Sequence, residues 1–137
     1  GQRDAAAIRA REQAALKLWL DAARDFPGIE ATIVPDPTDN PLDRLKLVFD
    51  AAKAGASAID IATDLAAGEP AVIVRDHEAD NGLLQLDPCN LHPGQAELVA
   101  ARLRRTFERA SRHELPAIDP DAWRRRAAAA LANWGSA

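Results

Sequence analysis

Methionine is absent from all 137 residues, the first position included. The expectation is therefore a piece or processed form of a longer protein, or a separate subunit. Cysteine occurs once, as Cys89, which excludes an intrachain disulfide and gives no sign of an oxidising compartment. A cytoplasmic location is expected. The three histidines are far apart, so no zinc-type ligand spacing exists and no metal site is expected. No apolar run approaches the roughly 20 residues that a membrane helix needs. The opening residues lack the apolar region of a signal peptide. There is no Gly-rich phosphate loop, no nucleophile elbow and no His-Glu-x-x-His. The chain thus lacks the groups for a self-contained catalytic mechanism of a known type.

What is present is an ordinary globular composition, 47% hydrophobic and 28% charged. A chain of this length suits one domain. The net charge of −4 speaks against a nucleic-acid surface, which needs a basic balance.

Residues 4–26 read as a helix, with Ile8, Ala15, Trp19 and Ala23 along one stripe. Pro27-Gly28 ends it. Residues 29–34 form a β-type run, followed by a loop with three prolines that holds Asp36 and Asp39. Residues 44–49 alternate, with Leu45, Leu47 and Phe49 on one face and Arg44 and Lys46 on the other. Residues 51–56 read as a small-residue linker. Ser57 with Asp60 resembles a capping box for a helix to about residue 67, which Gly68 closes. Residues 71–75 are a further strand, Asp80-Asn81-Gly82 a turn and residues 83–87 the returning strand. Pro93 suits the first position of a helix running to about residue 112. After a connector, Asp119-Pro120 caps a last helix with Trp123, Leu131 and Trp134.

The order αββαββα plus a C-terminal helix predicts an α+β fold. It should hold a mainly antiparallel four-stranded sheet with helices on one face. Residues 1–113 form the expected domain and residues 114–137 a helical extension.

The densest polar cluster is Arg75-Asp76-His77-Glu78. Alternation places Arg75 on the same face as Ile73. A guanidinium at a strand end either makes a surface ion pair or clamps a carboxylate or phosphate through two parallel hydrogen bonds. His77 is either a solvated side chain or an acid–base group. Asp36 and Asp39 fit a turn better than a metal site. Lys17, Lys46 and Lys53 sit in no setting that would depress a pKa. Cys89 reads as a small packed thiol. The arginines crowding residues 102–112 and 124–126 suggest a solvated face or an anionic partner surface.

The run Glu69-Pro70-Ala71-Val72-Ile73-Val74-Arg75, then Gly82-Leu83-Leu84-Gln85-Leu86-Asp87-Pro88, resembles a known family. It is similar to the C-terminal small domain of fold-type-I pyridoxal-phosphate enzymes. The nearest branch is selenocysteine-synthase-like, including D-glucosaminate-6-phosphate ammonia-lyase-like proteins. The resemblance implies a small domain that closes over an amino-acid substrate in a lyase or transferase, within an oligomer. It implies that Arg75 binds the substrate carboxylate, with His77 a further substrate-binding candidate. It also implies that pyridoxal phosphate is held by a larger domain or chain, since no cofactor-anchoring lysine motif is present here. The alternative is a non-catalytic module that binds small carboxylates or serves assembly through Trp123 and Trp134.

Overall fold

The computed structural model describes residues 2–35, 43–89 and 91–135. The fold is α+β. Among the described residues it has five α-helices and one three-stranded antiparallel sheet. The long first helix α1 (Gln2–Arg24) leads to β1 (Ile29–Pro35) and β2 (Asp43–Phe49). Helices α2 (Ala51–Ala54) and α3 (Ala58–Ala67) follow, then a 3₁₀ turn (Ala79–Asn81) and β3 (Leu83–Leu86). Helices α4 (Gln95–Ser111) and α5 (Pro120–Gly135) complete the order.

Alternation decides the sheet's two faces. Leu45, Leu47, Phe49, Leu84 and Leu86 are buried, and they meet Leu16 and Trp19 of α1, Ile61 and Leu65 of α3, and Leu103 and Phe107 of α4 in one core. Among the described residues the opposite face carries Arg44, Lys46 and Gln85, which are half-buried, and holds none of the core side chains. Strand order β1-β2-β3 follows the chain.

Helices α1 and α4 run in the same direction. Trp19 Nε1 donates to Ala96 O near the start of α4, at 3.0 Å. The Phe26 ring meets Phe107 edge-on near its end, with centroids 5.5 Å apart. The first turns of α1 therefore project past the start of α4. For that reason Ile8, expected on the buried stripe, is exposed.

The fourth strand expected at residues 71–75 is reduced to a single antiparallel bridge, Arg75 with Gln85. The cause is a competing backbone partner. Val72 N donates to Leu65 O in the last turn of α3, at 2.8 Å, so the approach to the sheet is tied to the helix instead of a ladder. Alternation survives without the ladder: Val72 and Val74 are buried and Ile73 is 74% exposed.

Three further expectations change. The linker at residues 51–56 contains α2, capped by Asp50, whose carboxylate accepts from Ala52 N and Lys53 N at 3.2 and 3.4 Å. Pro93 lies in the turn before α4 rather than in its first position. Gln95 caps that turn by accepting from His92 N at 2.7 Å. Gly68 does not close α3 in a left-handed conformation; its backbone is extended. A β-carbon there would fall on the Arg102 guanidinium, which would have to shift to make room.

The capping box at Ser57 and Asp60 forms as expected, each bond 3.1 Å. Asp60 also accepts from Ile118 N at 2.7 Å, fastening the connector before α5. Arg124 of α5 pairs with Asp80 at 3.1 Å, and Trp123 packs against the core. The side chains of Leu131 and Trp134, and the residues Asp36 and Asp39, lie outside the described set.

An ionic network joins α3 to α4. Asp64 accepts from Thr106 Oγ1 at 2.7 Å and from Arg109 Nη1 at 2.6 Å. Arg102 Nη2 donates to the Asp64 carbonyl at 3.0 Å. The arginines of this helix, for which the sequence left open a solvated face or an anionic partner surface, divide: Arg102 is buried while Arg104, Arg105 and Arg112 are exposed.

Candidate functional site

Register places the polar residues of the open sheet face in rows. Thr32, Lys46 and Gln85 are neighbours across β1, β2 and β3, and the bridge adds Arg75 beyond Gln85. One step along, Val34 lies beside Arg44. Leu45 pairs with Leu86, so Asp87 follows opposite Arg44.

This placement brings three charged side chains together. Arg75 Nε donates to Asp87 Oδ2 at 2.7 Å. Arg44 Nε lies 2.6 Å from Asp87 Oδ1, an ion pair rather than an aligned hydrogen bond. Exposure rises across the trio. The side chains are 13% exposed for Arg44, 24% for Asp87 and 45% for Arg75. One carboxylate thus sits between a nearly buried guanidinium and a half-exposed one. Electrostatically, these three side chains contribute a net positive charge, on a sheet face that also carries Lys46.

The bonds of the bridge hold Arg75 in place. Its N donates to Gln85 O at 2.8 Å, and its O accepts from Gln85 N at 3.1 Å. The chain then turns, with Gly82 in the left-handed conformation expected for that turn. His77 and Glu78 lie exposed on this turn. The side chain of His77 makes no hydrogen bond or ion pair with another described residue, so the structure does not bring it to the Arg75–Asp87 pair. Arg44 and Asp87 are the members that sequence reasoning missed. The signal was there in Arg44 at the polar edge of β2 and Asp87 at the end of β3. Their meeting depends on strand register.

Cys89 lies two residues past Asp87 and is exposed, not packed as the sequence suggested. Its thiol is pushed above its ordinary pKa, first by partial desolvation and then by the carboxylates of Asp87 and Glu12. Arg44 and Arg75 act in the opposite direction.

A shallow pocket of about 220 Å³ adjoins Asp87, lined by Trp19, Pro70, Ile73, Leu91 and Leu98 among others. A second, of about 460 Å³, lies between α1 and the turn before α4, against Ile8, Leu18, Pro88 and His92.

Comparison with known proteins finds no family model that matches. It does find homologous enzymes. Over 96 residues the chain is 36% identical to a 5'-C-glycyluridine monooxygenase-decarboxylase of Streptomyces sp, covering 69% of this chain and 24% of that protein. Over 98 residues it is 30% identical to the D-glucosaminate-6-phosphate ammonia lyase of Salmonella typhimurium, covering 72% of this chain and 27% of that one. A solved structure of a D-glucosaminate-6-phosphate ammonia-lyase superposes with a TM-score of 0.62 at 30% identity. That match covers 72% of this chain and 27% of the other. The chain therefore spans about a quarter of the length of the enzymes it matches.

The residues present do not by themselves fit pyridoxal phosphate, the cofactor implied by the resemblance. Lys17 and Lys53 are exposed on helices, and Lys46 stands on the open sheet face. No lysine lines either of the pockets described above. Among the described residues, no group of three or more His, Cys, Asp or Glu side chains is placed to hold a metal ion. No described helix is long and apolar enough to cross a membrane.

Proposed function

We propose that this chain is the substrate-closing small domain, or the corresponding subunit, of a pyridoxal-phosphate-dependent lyase or transferase acting on an amino acid. Arg75 is its clamp for the substrate carboxylate. A larger domain or partner chain holds the cofactor, which would supply the electron sink for chemistry at the substrate α-carbon. This chain's own task is to bind, orient and exclude water.

One observation carries the reading. The bridge to Gln85 places a half-exposed guanidinium on the open face of the sheet, its Nε end fixed by Asp87. Arginine suits such a task because its planar fork matches a carboxylate. The homologous enzymes lend support. One is an ammonia lyase and the other a monooxygenase-decarboxylase, and this chain matches only about a quarter of each. His77, exposed on the turn after Arg75, is a further substrate-binding candidate in this reading.

The test uses the protein together with its larger domain. Arg75→Ala removes charge-assisted hydrogen bonds of about 1.5–3 kcal/mol, which weakens amino-acid binding roughly 10- to 150-fold. Cofactor binding, followed by absorbance, should stay unchanged. Unaltered substrate affinity in Arg75→Ala removes the clamp role. Tight binding of amino acids or sugar acids by this chain alone, seen calorimetrically, replaces the proposal with a free-standing carboxylate-binding module.

A further inference from the structure

Among the described residues, strand β1 forms one edge of the sheet, and register defines its outer side. Its pairing with β2 runs without a bulge from Ile29 opposite Phe49 to Pro35 opposite Asp43. In an antiparallel strand, successive residues turn their N–H and C=O to opposite neighbours. Phe49 N donates to Gly82 O on the β3 side, and Asp50 N donates to Gly28 O on the β1 side, each at 2.8 Å. Counting back along β2, Val48, Lys46 and Arg44 address β1, so their partners Glu30, Thr32 and Val34 address β2. The backbones of Ala31 and Ile33 therefore point away from the sheet. Neither N–H bonds to another described residue.

An edge of this kind is a template for another strand unless something blunts it. β1 carries no lysine, no arginine and no bulge, and its one charged residue is Glu30. Glu30, Thr32, Ile33 and Pro35 are exposed. Ile33 is a large apolar side chain, 37% exposed, although register puts it on the core face opposite Leu45.

We propose that β1 pairs with β1 of a second copy of this chain, antiparallel about a two-fold axis at Thr32. The strand is complementary to itself in this register. Thr32 is the middle of the seven residues, so the two strands overlap in full. Thr32 then faces Thr32, Ala31 faces the partner's Ile33, and Glu30 faces the partner's Val34. Ala31 and the partner's Ile33 exchange both backbone bonds, so every outward N–H of the two residues finds a carbonyl. Pro35, which has no N–H to give, falls at the end of the ladder. On the core face the exposed Ile33 gains cover from the partner's Ala31. On the open face each Glu30 enters the row of the partner's Val34 and Arg44, with opposite charges two strands apart, roughly 10 Å. This is charge complementarity and asks no new bond of Arg44. No like charges face each other across the pair. The interface is small, so the dimer is of the weak class. β1 and the Arg75 bridge lie at opposite ends of the strand order, and the pairing is independent of the reading of Arg75.

The experiment uses the full chain and follows amide exchange by NMR at about 50 μM and about 1 mM, with sedimentation at the same concentrations. In the dilute chain the Thr32 and Val34 amides should be protected and those of Ala31 and Ile33 should exchange fast. In the concentrated chain a dimer should appear, and the Ala31 and Ile33 amides should slow roughly threefold or more. In a Cys89→Ser background, Thr32→Cys should form a disulfide-linked dimer on mild oxidation, because a non-hydrogen-bonded pair brings the Cα atoms to about 4.5 Å. Glu30→Cys should link far more slowly. Ile33→Lys should abolish the dimer. A chain that stays monomeric at about 1 mM overturns the proposal. So does protection of Ala31 and Ile33 in the dilute monomer, which means that the edge is covered from within the chain. A dimer that leaves those two amides fast uses another surface, and it overturns the proposal as well. These readings come from the wild-type chain, so a variant that fails to fold does not block the test. Linking through Glu30→Cys as fast as through Thr32→Cys overturns the register.

Discussion

The Arg102 guanidinium lies against Gly68, in the space that a β-carbon at that position would fill. Two elements meet there, the end of α3 and the middle of α4. Gly68→Ala should therefore push Arg102 away from the Asp64 carbonyl. Overpacking of this kind costs about 1–3 kcal/mol. Chemical denaturation should show a lower midpoint with an unchanged slope. Because Gly68 has an ordinary negative φ, backbone strain adds nothing. A variant as stable as wild type would show that Arg102 can move freely.

Asp64 is the centre of the same junction. Asp64→Asn keeps the shape but removes the charge that Arg109 and Thr106 address. A charge-assisted bond is worth about 1.5–3 kcal/mol, with the lower end expected where Arg109 is partly exposed. Hydrogen exchange should quicken in α3 and α4 together and leave β1 unaffected.

Asp60 caps one helix and fastens the approach to another. Asp60→Ala loses the reciprocal bond of the capping box, for about 1 kcal/mol. It also releases Ile118 N. Limited proteolysis should then cut earlier between residues 112 and 120, while the preceding domain resists. Equal cleavage rates would mean that Trp123 and the Arg124–Asp80 pair hold the segment unaided.

Cys89 reports on the charges around Asp87. Its thiol is pushed above its ordinary value, so alkylation should rise with pH later than for a cysteine in a short unstructured peptide. Asp87→Asn removes a carboxylate that raises the pKa, and the alkylation profile should move to lower pH. Arg75→Ala removes a cation that lowers it, and the profile should move to higher pH. The linkage has a definite sign. A raised folded-state pKa stabilises fully below the unfolded value, and that stabilisation is lost as pH rises through the folded one.

Much of the fold was legible because it depends on local periodicity. The alternation of Leu45, Leu47 and Phe49, the Ser57–Asp60 box and the Asp119-Pro120 start of α5 are all short-range signals. The failures share a different cause. The backbone of Val72 bonds to α3 instead of to a strand, and only tertiary placement reveals that partner. Gly68 looked like a helix terminator, yet its smallness serves Arg102, 34 residues later in the chain. Asp50 was a readable cap ahead of α2, but one turn of helix leaves little periodicity to detect. In the candidate site, Arg75 was visible as a guanidinium ending an apolar run. Arg44 and Asp87 join it only through strand register, which a single sequence does not display.

The bond from Trp19 to Ala96 spans 77 residues. Its consequence concerns the order in which the molecule can assemble. The apolar stripe of the first helix, with Leu16, Trp19 and Ala23, has its main helical cover in the fourth. On a ribosome that cover arrives late. Until α4 emerges, a growing chain presents this stripe to solvent and to any protein that recognises exposed apolar helices. In refolding from denaturant, the same separation makes the docking of α1 on α4 a long loop closure, paid in chain entropy before any packing is gained.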